Sequence, residues 1–78
     1  MSPEAVVRLV TEVWKEILGL DNAALRKSFL DIGGTSMAAE KIAARLRASL
    51  GVRLTGSDIL RVQTIEGLVE LSLAKMAA

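Results

Sequence analysis

The residues best placed to do chemistry stand in one stretch, Phe29 to Leu46, FLDIGGTSMAAEKIAARL, where Ser36 follows Gly33, Gly34 and Thr35 and heads a run with helical spacing. In that setting the hydroxyl of Ser36, or of Thr35, can cap the helix by accepting a backbone hydrogen bond, the glycines making a tight turn before it. Catalysis by a serine nucleophile needs a general base. The chain contains no histidine, so only Lys41 or a carboxylate could serve, and no oxyanion device accompanies them. A phosphate-cradling loop does not fit either, because the required lysine and glycine spacing are missing and no strand precedes the glycines. Two roles remain for Ser36: a cap, or a handle to which something else is attached.

Composition narrows the chemistry further. The 78 residues include no cysteine, which together with the missing histidine removes disulfides, thiolate nucleophiles, imidazole bases and nearly all zinc sites. Ten basic and nine acidic residues give a net charge of +1, which sets no bias toward nucleic acid or an anionic membrane. The N-terminus MSPEAVVRLV lacks the basic start and apolar run of a signal peptide, and no apolar stretch has the length of a membrane span. The expectation is a soluble, cytoplasmic protein or excised domain, monomeric and without membrane or nucleic-acid partners. With 51% hydrophobic residues in so short a chain, residues 1–78 read as one domain with one core. That core must be aliphatic, since Trp14 and Phe29 are the only aromatic residues.

The elements that must position Ser36 follow from periodicity. Ser2 as N-cap, Pro3 at the first helical position and Glu4 in the first turn start a helix over residues 3–18. Val6, Leu9, Val10, Val13, Trp14, Ile17 and Leu18 form its apolar face, and Gly19 stops it. From Gly19 to Thr35 the pattern loosens into a long loop pinned by Leu20, Leu25, Phe29, Leu30 and Ile32, with a short helical turn around Ala23–Lys27. Ordered loops of this length in small domains are usually functional. A second helix begins at Ser36 and ends at Gly51. Its buried stripe is Ala39, Ile42, Ala43, Leu46 and Leu50; Met37, Lys41, Ala44 and Ala48 lie opposite. After an extended VRLT connector, Ser57 and Asp58 open a short helix through about Arg61, and Thr64 caps a last helix that frays from Lys75 onward. The fold class is all-α: a small four-helix bundle, three main helices and one short, with a long ordered loop between the first two.

The run Phe29, Leu30, Asp31, Ile32, Gly33, Gly34, Thr35, Ser36, Met37 resembles the attachment motif of the acyl carrier and peptidyl carrier (thiolation) family. The likeness extends to VWKEILGL at the end of the first helix, LRASLGVRL at the end of the second and TIEGLVEL in the last. The resemblance implies that Ser36 carries a covalent 4′-phosphopantetheine arm, installed from coenzyme A by a phosphopantetheinyl transferase. It also implies a non-catalytic domain, whose thiol chemistry would come from the arm. Asp31, Gly33, Gly34 and Thr35 belong to the attachment motif; Asp31 reads equally as a loop hydrogen-bond acceptor or as a contact for the transferase or a metal during loading.

Expected partners are the transferase, a loading enzyme (an adenylation domain or acyltransferase) and a condensation, ketosynthase or thioesterase partner. Discrete fatty-acid carriers tend to have an acidic second helix, whereas here the stretch from Ser36 to Leu50 has one acidic residue, Glu40, against the basic Lys41, Arg45 and Arg47. The chain therefore looks more like a carrier from nonribosomal peptide or polyketide assembly, although Thr35 stands where many peptidyl carriers have histidine or aspartate. Met37 is the candidate recognition anchor by its phase on the helix, with Lys41 and Arg45 beside it, which also read as ordinary solvated charges. A helix-turn-helix DNA-binding domain shares the general outline. The near-neutral charge and the lack of Asn or Gln on the second helix count against it.

Overall fold

The computed structural model describes residues 1–77. Four α-helices follow in order, α1 (Pro3–Leu18), α2 (Ser36–Leu50), α3 (Gly56–Val62) and α4 (Ile65–Ala77), and no strand occurs among the described residues. The bundle is all-α, as the periodicity requires. α1 starts where Ser2 accepts the Ala5 N–H and ends at Gly19 in the left-handed conformation, φ 66°. Gly51 closes α2 in the same way, with φ 69°.

One core joins all the helices. Val6, Val10, Val13 and Trp14 from α1 meet Ala39, Ile42, Ala43 and Leu46 from α2, with Ile59 from α3 and Leu68 and Val69 from α4. Leu9, Ile17, Leu18 and Leu50, expected on the same faces, are half-buried at its margin. Phe29 reaches the centre from the loop and meets Trp14 edge to face, ring centroids 5.5 Å apart. Such a pair adds orientation to area burial.

Several elements differ from expectation. The short turn in the loop is a 3₁₀ helix at Asn22–Ala24, earlier than Ala23–Lys27. α3 begins at Gly56, because Thr55 rather than Ser57 supplies its cap: the Asp58 N–H donates to the Thr55 hydroxyl, and the Asp58 carboxylate accepts the Thr55 N–H. α4 continues to Ala77 without fraying; the remainder of that expectation falls on Ala78, outside the described residues. Leu30, expected as a loop anchor, is 67% exposed. Leu54, in the connector, is fully buried instead.

The centre of the buried face of α4 is a serine, Ser72. Its Oγ has no hydrogen-bond partner among the described residues, and neither has the Trp14 indole N–H.

Candidate functional site

Ser36 is the first residue of α2, and Thr35, not Ser36, caps the helix: the Ala38 N–H donates to Thr35 Oγ1 at 3.1 Å. The choice between the two hydroxyls is thereby resolved. Ser36 lies exposed at the helix start, and its Oγ is not drawn into a hydrogen bond with the described residues. The N–H groups of Ser36 and Met37 precede the first intrahelical bond, which runs from Ala39 N–H to the Thr35 carbonyl. The first turns of α1, α3 and α4 carry Glu4, Asp58 and Glu66, whereas α2 has no acidic residue there. The positive end of this helix dipole is left uncompensated by the chain's own carboxylates.

The loop before Ser36 is built from short-range bonds. Asp31 N–H donates to Ser28 Oγ, Ile32 N–H to the Ser28 carbonyl, Gly33 N–H to the Leu30 carbonyl and Gly34 N–H to the Phe29 carbonyl. The two glycines serve different needs. Gly33 has φ 76°, a backbone that L side chains rarely adopt. Gly34 lies against the Phe29 ring, where a Cβ would come within 2.5 Å of Cδ2 and Cε2.

Asp31 is exposed, and its carboxylate accepts no hydrogen bond from the described residues. The loop-acceptor reading of its side chain is corrected: Ser28 and Gln63 supply the acceptors. Its carboxylate joins no group of three or more potential metal ligands among the described residues.

A further fastening comes from the corner between α3 and α4, which periodicity did not reveal. The Gln63 carbonyl accepts the Phe29 N–H at 2.6 Å, its Oε1 accepts the Leu30 N–H at 3.0 Å, and its Nε2 donates to the Leu60 carbonyl at 2.6 Å. Glu40, on the sequence alone a surface charge, has a similar fastening role. It accepts the buried Gly56 N–H at 3.2 Å and faces Arg47, which donates to the Leu54 carbonyl at 2.7 Å. The connector before α3 is thus tied to the side of α2.

Met37 projects from the first turn of α2 with 70% of its surface exposed, as its phase requires. Lys41 is exposed on the same face. Arg45 pairs with Glu16 of α1 at 3.2 Å, both side chains well exposed, a contact of small energetic weight. An open groove of about 730 Å³ lies elsewhere, between α1, the loop and α4, lined by Val7, Thr11, Leu25, Thr64, Ile65 and Val69; none of Phe29 to Met37 lines it.

An exposed alcohol beside free N–H groups and an uncompensated dipole suits a covalently held phosphodiester. Comparison with known proteins agrees with this chemistry. Residues 8–72 match the family model of the phosphopantetheine attachment site, and the chain belongs to that family of carrier domains, whose members hold 4′-phosphopantetheine covalently on a serine. It is 34% identical over 62 residues to surfactin synthase subunit 1 of Bacillus subtilis, covering 80% of this chain. It is 30% identical over 74 residues to phosphinothricin tripeptide synthetase PhsC of Streptomyces viridochromogenes, covering 95%. The chain spans only 2% and 7% of the length of those two relatives. Among solved structures it resembles BlmI, a type-II acyl carrier protein of Streptomyces verticillus involved in bleomycin biosynthesis. The TM-score is 0.82 at 28% identity, covering 92% of this chain and 87% of that one.

Carrier domains of this kind work with modifying and catalytic enzymes. No helix of the described residues is long and apolar enough to cross a membrane.

Proposed function

We propose that the chain is one carrier domain that holds acyl, aminoacyl or peptidyl intermediates in nonribosomal peptide or polyketide biosynthesis, with Ser36 as its point of attachment. The observation that carries the reading is the free Ser36 hydroxyl at the uncapped-by-acid start of α2, its neighbour Thr35 having taken over the capping bond. On loading, Ser36 Oγ forms a new bond to the pantetheine phosphorus of coenzyme A. The pyrophosphate bond breaks, adenosine 3′,5′-bisphosphate leaves, and the hydroxyl proton passes to the transferase. The arm supplies a terminal thiol that holds its cargo as a thioester. The chain's own residues present the alcohol, offer the N–H groups of Ser36 and Met37 to the phosphodiester, and keep the loop in shape through Gly33 and Gly34. Asp31 and Thr35 complete the surface that the transferase meets.

The domain performs no catalysis itself and works in the cytoplasm as a monomer. Its partners are a phosphopantetheinyl transferase, a loading adenylation domain or acyltransferase, and a condensation, ketosynthase or thioesterase partner. Met37 is the apolar anchor for these encounters, with Lys41 and Arg45 on its flank. The similarity to phosphinothricin tripeptide synthetase PhsC supports peptide assembly over fatty-acid synthesis. The test is incubation with coenzyme A and a broad-specificity transferase, followed by intact mass. The wild type gains one phosphopantetheine mass and Ser36→Ala gains none; modification of Ser36→Ala, or a refractory wild type, overturns the reading. Subsequent incubation with amino-acid or acyl donors and their loading enzymes separates the cargo classes.

A further inference from the structure

Leu30 and Gln63 are 33 residues apart in the chain, yet one side chain fastens the first to the second. We propose that Gln63 is a positioning residue for the modification of Ser36, holding the loop that precedes it in the shape the transferase binds. This rests on the carrier reading above.

Among the described residues Gln63 is the only non-glycine with positive φ, at 66°. An L residue stays in that region only where its surroundings hold it. Here the cap bond from its own N–H to the Ile59 carbonyl at the end of α3 does so, together with three further hydrogen bonds. The Gln63 carbonyl takes the Phe29 N–H, and its planar side-chain amide offers an acceptor to the Leu30 N–H and a donor to the Leu60 carbonyl. Glutamine supplies both polarities in one group, so the α3 end and the loop are clamped together.

From that clamp the connection to Ser36 is continuous. Phe29 and Leu30 pass their carbonyls to the Gly34 and Gly33 N–H groups, the Phe29 ring lies against Gly34, and Thr35 then caps α2 at Ser36. The two backbone amides that Gln63 holds belong to the same residues on which the glycine turn hangs. The tethered residue Leu30 leaves its side chain 67% exposed on this surface. An enzyme that closes over Ser36 meets a loop already ordered, and ordering it during binding would weaken the encounter. The effect therefore belongs in KM for the carrier, while kcat is set by the transferase once the complex has formed.

Transfer kinetics with coenzyme A, a broad-specificity transferase and the full chain test this, using wild type, Gln63→Met, Gln63→Gly and Gln63→Glu. Gln63→Met keeps the length and loses both polar atoms. Gln63→Gly keeps the left-handed backbone without the side chain. Gln63→Glu keeps the acceptor for Leu30. All are assayed at a temperature below each variant's melting transition, with amide hydrogen exchange of Leu30 read by NMR.

Gln63→Met and Gln63→Gly are expected to speed Leu30 exchange and to raise KM about threefold to tenfold with kcat nearly unchanged, the scale of one or two lost hydrogen bonds. Gln63→Glu, which keeps the acceptor for Leu30 but turns a carboxylate oxygen toward the Leu60 carbonyl, should fall between wild type and Gln63→Met. An unchanged KM despite faster Leu30 exchange overturns the proposal, as does a loss confined to kcat, or Leu30 exchange that stays slow in both variants. If Gln63→Met does not fold, Gln63→Gly and Gln63→Glu decide between the same outcomes. A wild type that accepts no arm at Ser36 overturns the carrier reading itself; variants indistinguishable from a modified wild type overturn only the role of Gln63.

Discussion

Gly33 and Gly34 are adjacent, yet the loop needs each for a separate physical reason. Gly33 supplies a left-handed backbone, and Gly34 supplies the missing Cβ that lets the Phe29 ring sit against the chain. Alanine at Gly33 should cost about 1–2 kcal/mol in backbone conformation. Alanine at Gly34 should cost about 1–3 kcal/mol through overpacking, because the ring is also held by Trp14 and has little room to withdraw. Chemical denaturation of both variants measures these losses. The cause is separated by a double mutant: Phe29→Leu makes room, so Gly34→Ala should be less harmful in that background than in the wild type, whereas Gly33→Ala should be equally harmful in both. Strict additivity for Gly34 and Phe29 would show that the ring is not what excludes a side chain there. Sequence spacing made both glycines readable as a turn, but the Phe29 contact that constrains Gly34 is a matter of packing.

At the level of elements, the boundaries that periodicity located well are those with local causes: the Ser2 cap, the Gly19 and Gly51 stops, and the Thr64 hydroxyl accepting the Gly67 N–H. The start of α3 was legible too, in the Thr55–Asp58 spacing of a capping box, but Ser57 drew the boundary one residue late. Gln63, Glu40 and Ser72 were not legible, since their roles depend on groups brought close only by the fold. Asp58 gives the box a pH dependence. Burial pushes its carboxyl up, but hydrogen bonds from the Thr55 N–H and hydroxyl and the charges of Lys75 and Arg61 outweigh that and hold its pKa below the ordinary 3.8. The unfolded chain then binds the proton more readily than the folded one, so this contribution is full above the unfolded value and is lost as pH falls through the folded pKa. Denaturation series on wild type and Asp58→Asn should show a stability difference that is steady near pH 7 and shrinks below about pH 4. A difference unchanged through the acid range would mean that the ionised carboxylate does not strengthen the cap.

At the scale of the whole molecule, a body of 31 × 22 × 17 Å presents, at the start of α2, an alcohol free of capping duty beside a large exposed apolar side chain. The surrounding charge is mixed in sign and partly paired within the molecule: Glu40 faces Arg47 and the Gly56 N–H, Arg45 faces Glu16, and the net charge is +1. Long-range steering of partners is correspondingly weak, and recognition falls to contact surface. Met37, 70% exposed in the free protein, is a large apolar side chain next to Ser36 with area to gain from a partner. Met37→Asp should therefore leave the melting transition nearly unmoved while raising the transferase or loading-enzyme KM by roughly tenfold or more, the scale of losing one well-buried methionine contact. The wild-type KM should change less than about threefold between low and high salt, because few separated charges are being screened. Full activity of Met37→Asp with its loading enzyme would remove Met37 as the anchor. A steep salt dependence with normal Met37→Asp kinetics would transfer the recognition to Lys41 and Arg45 on the same helix.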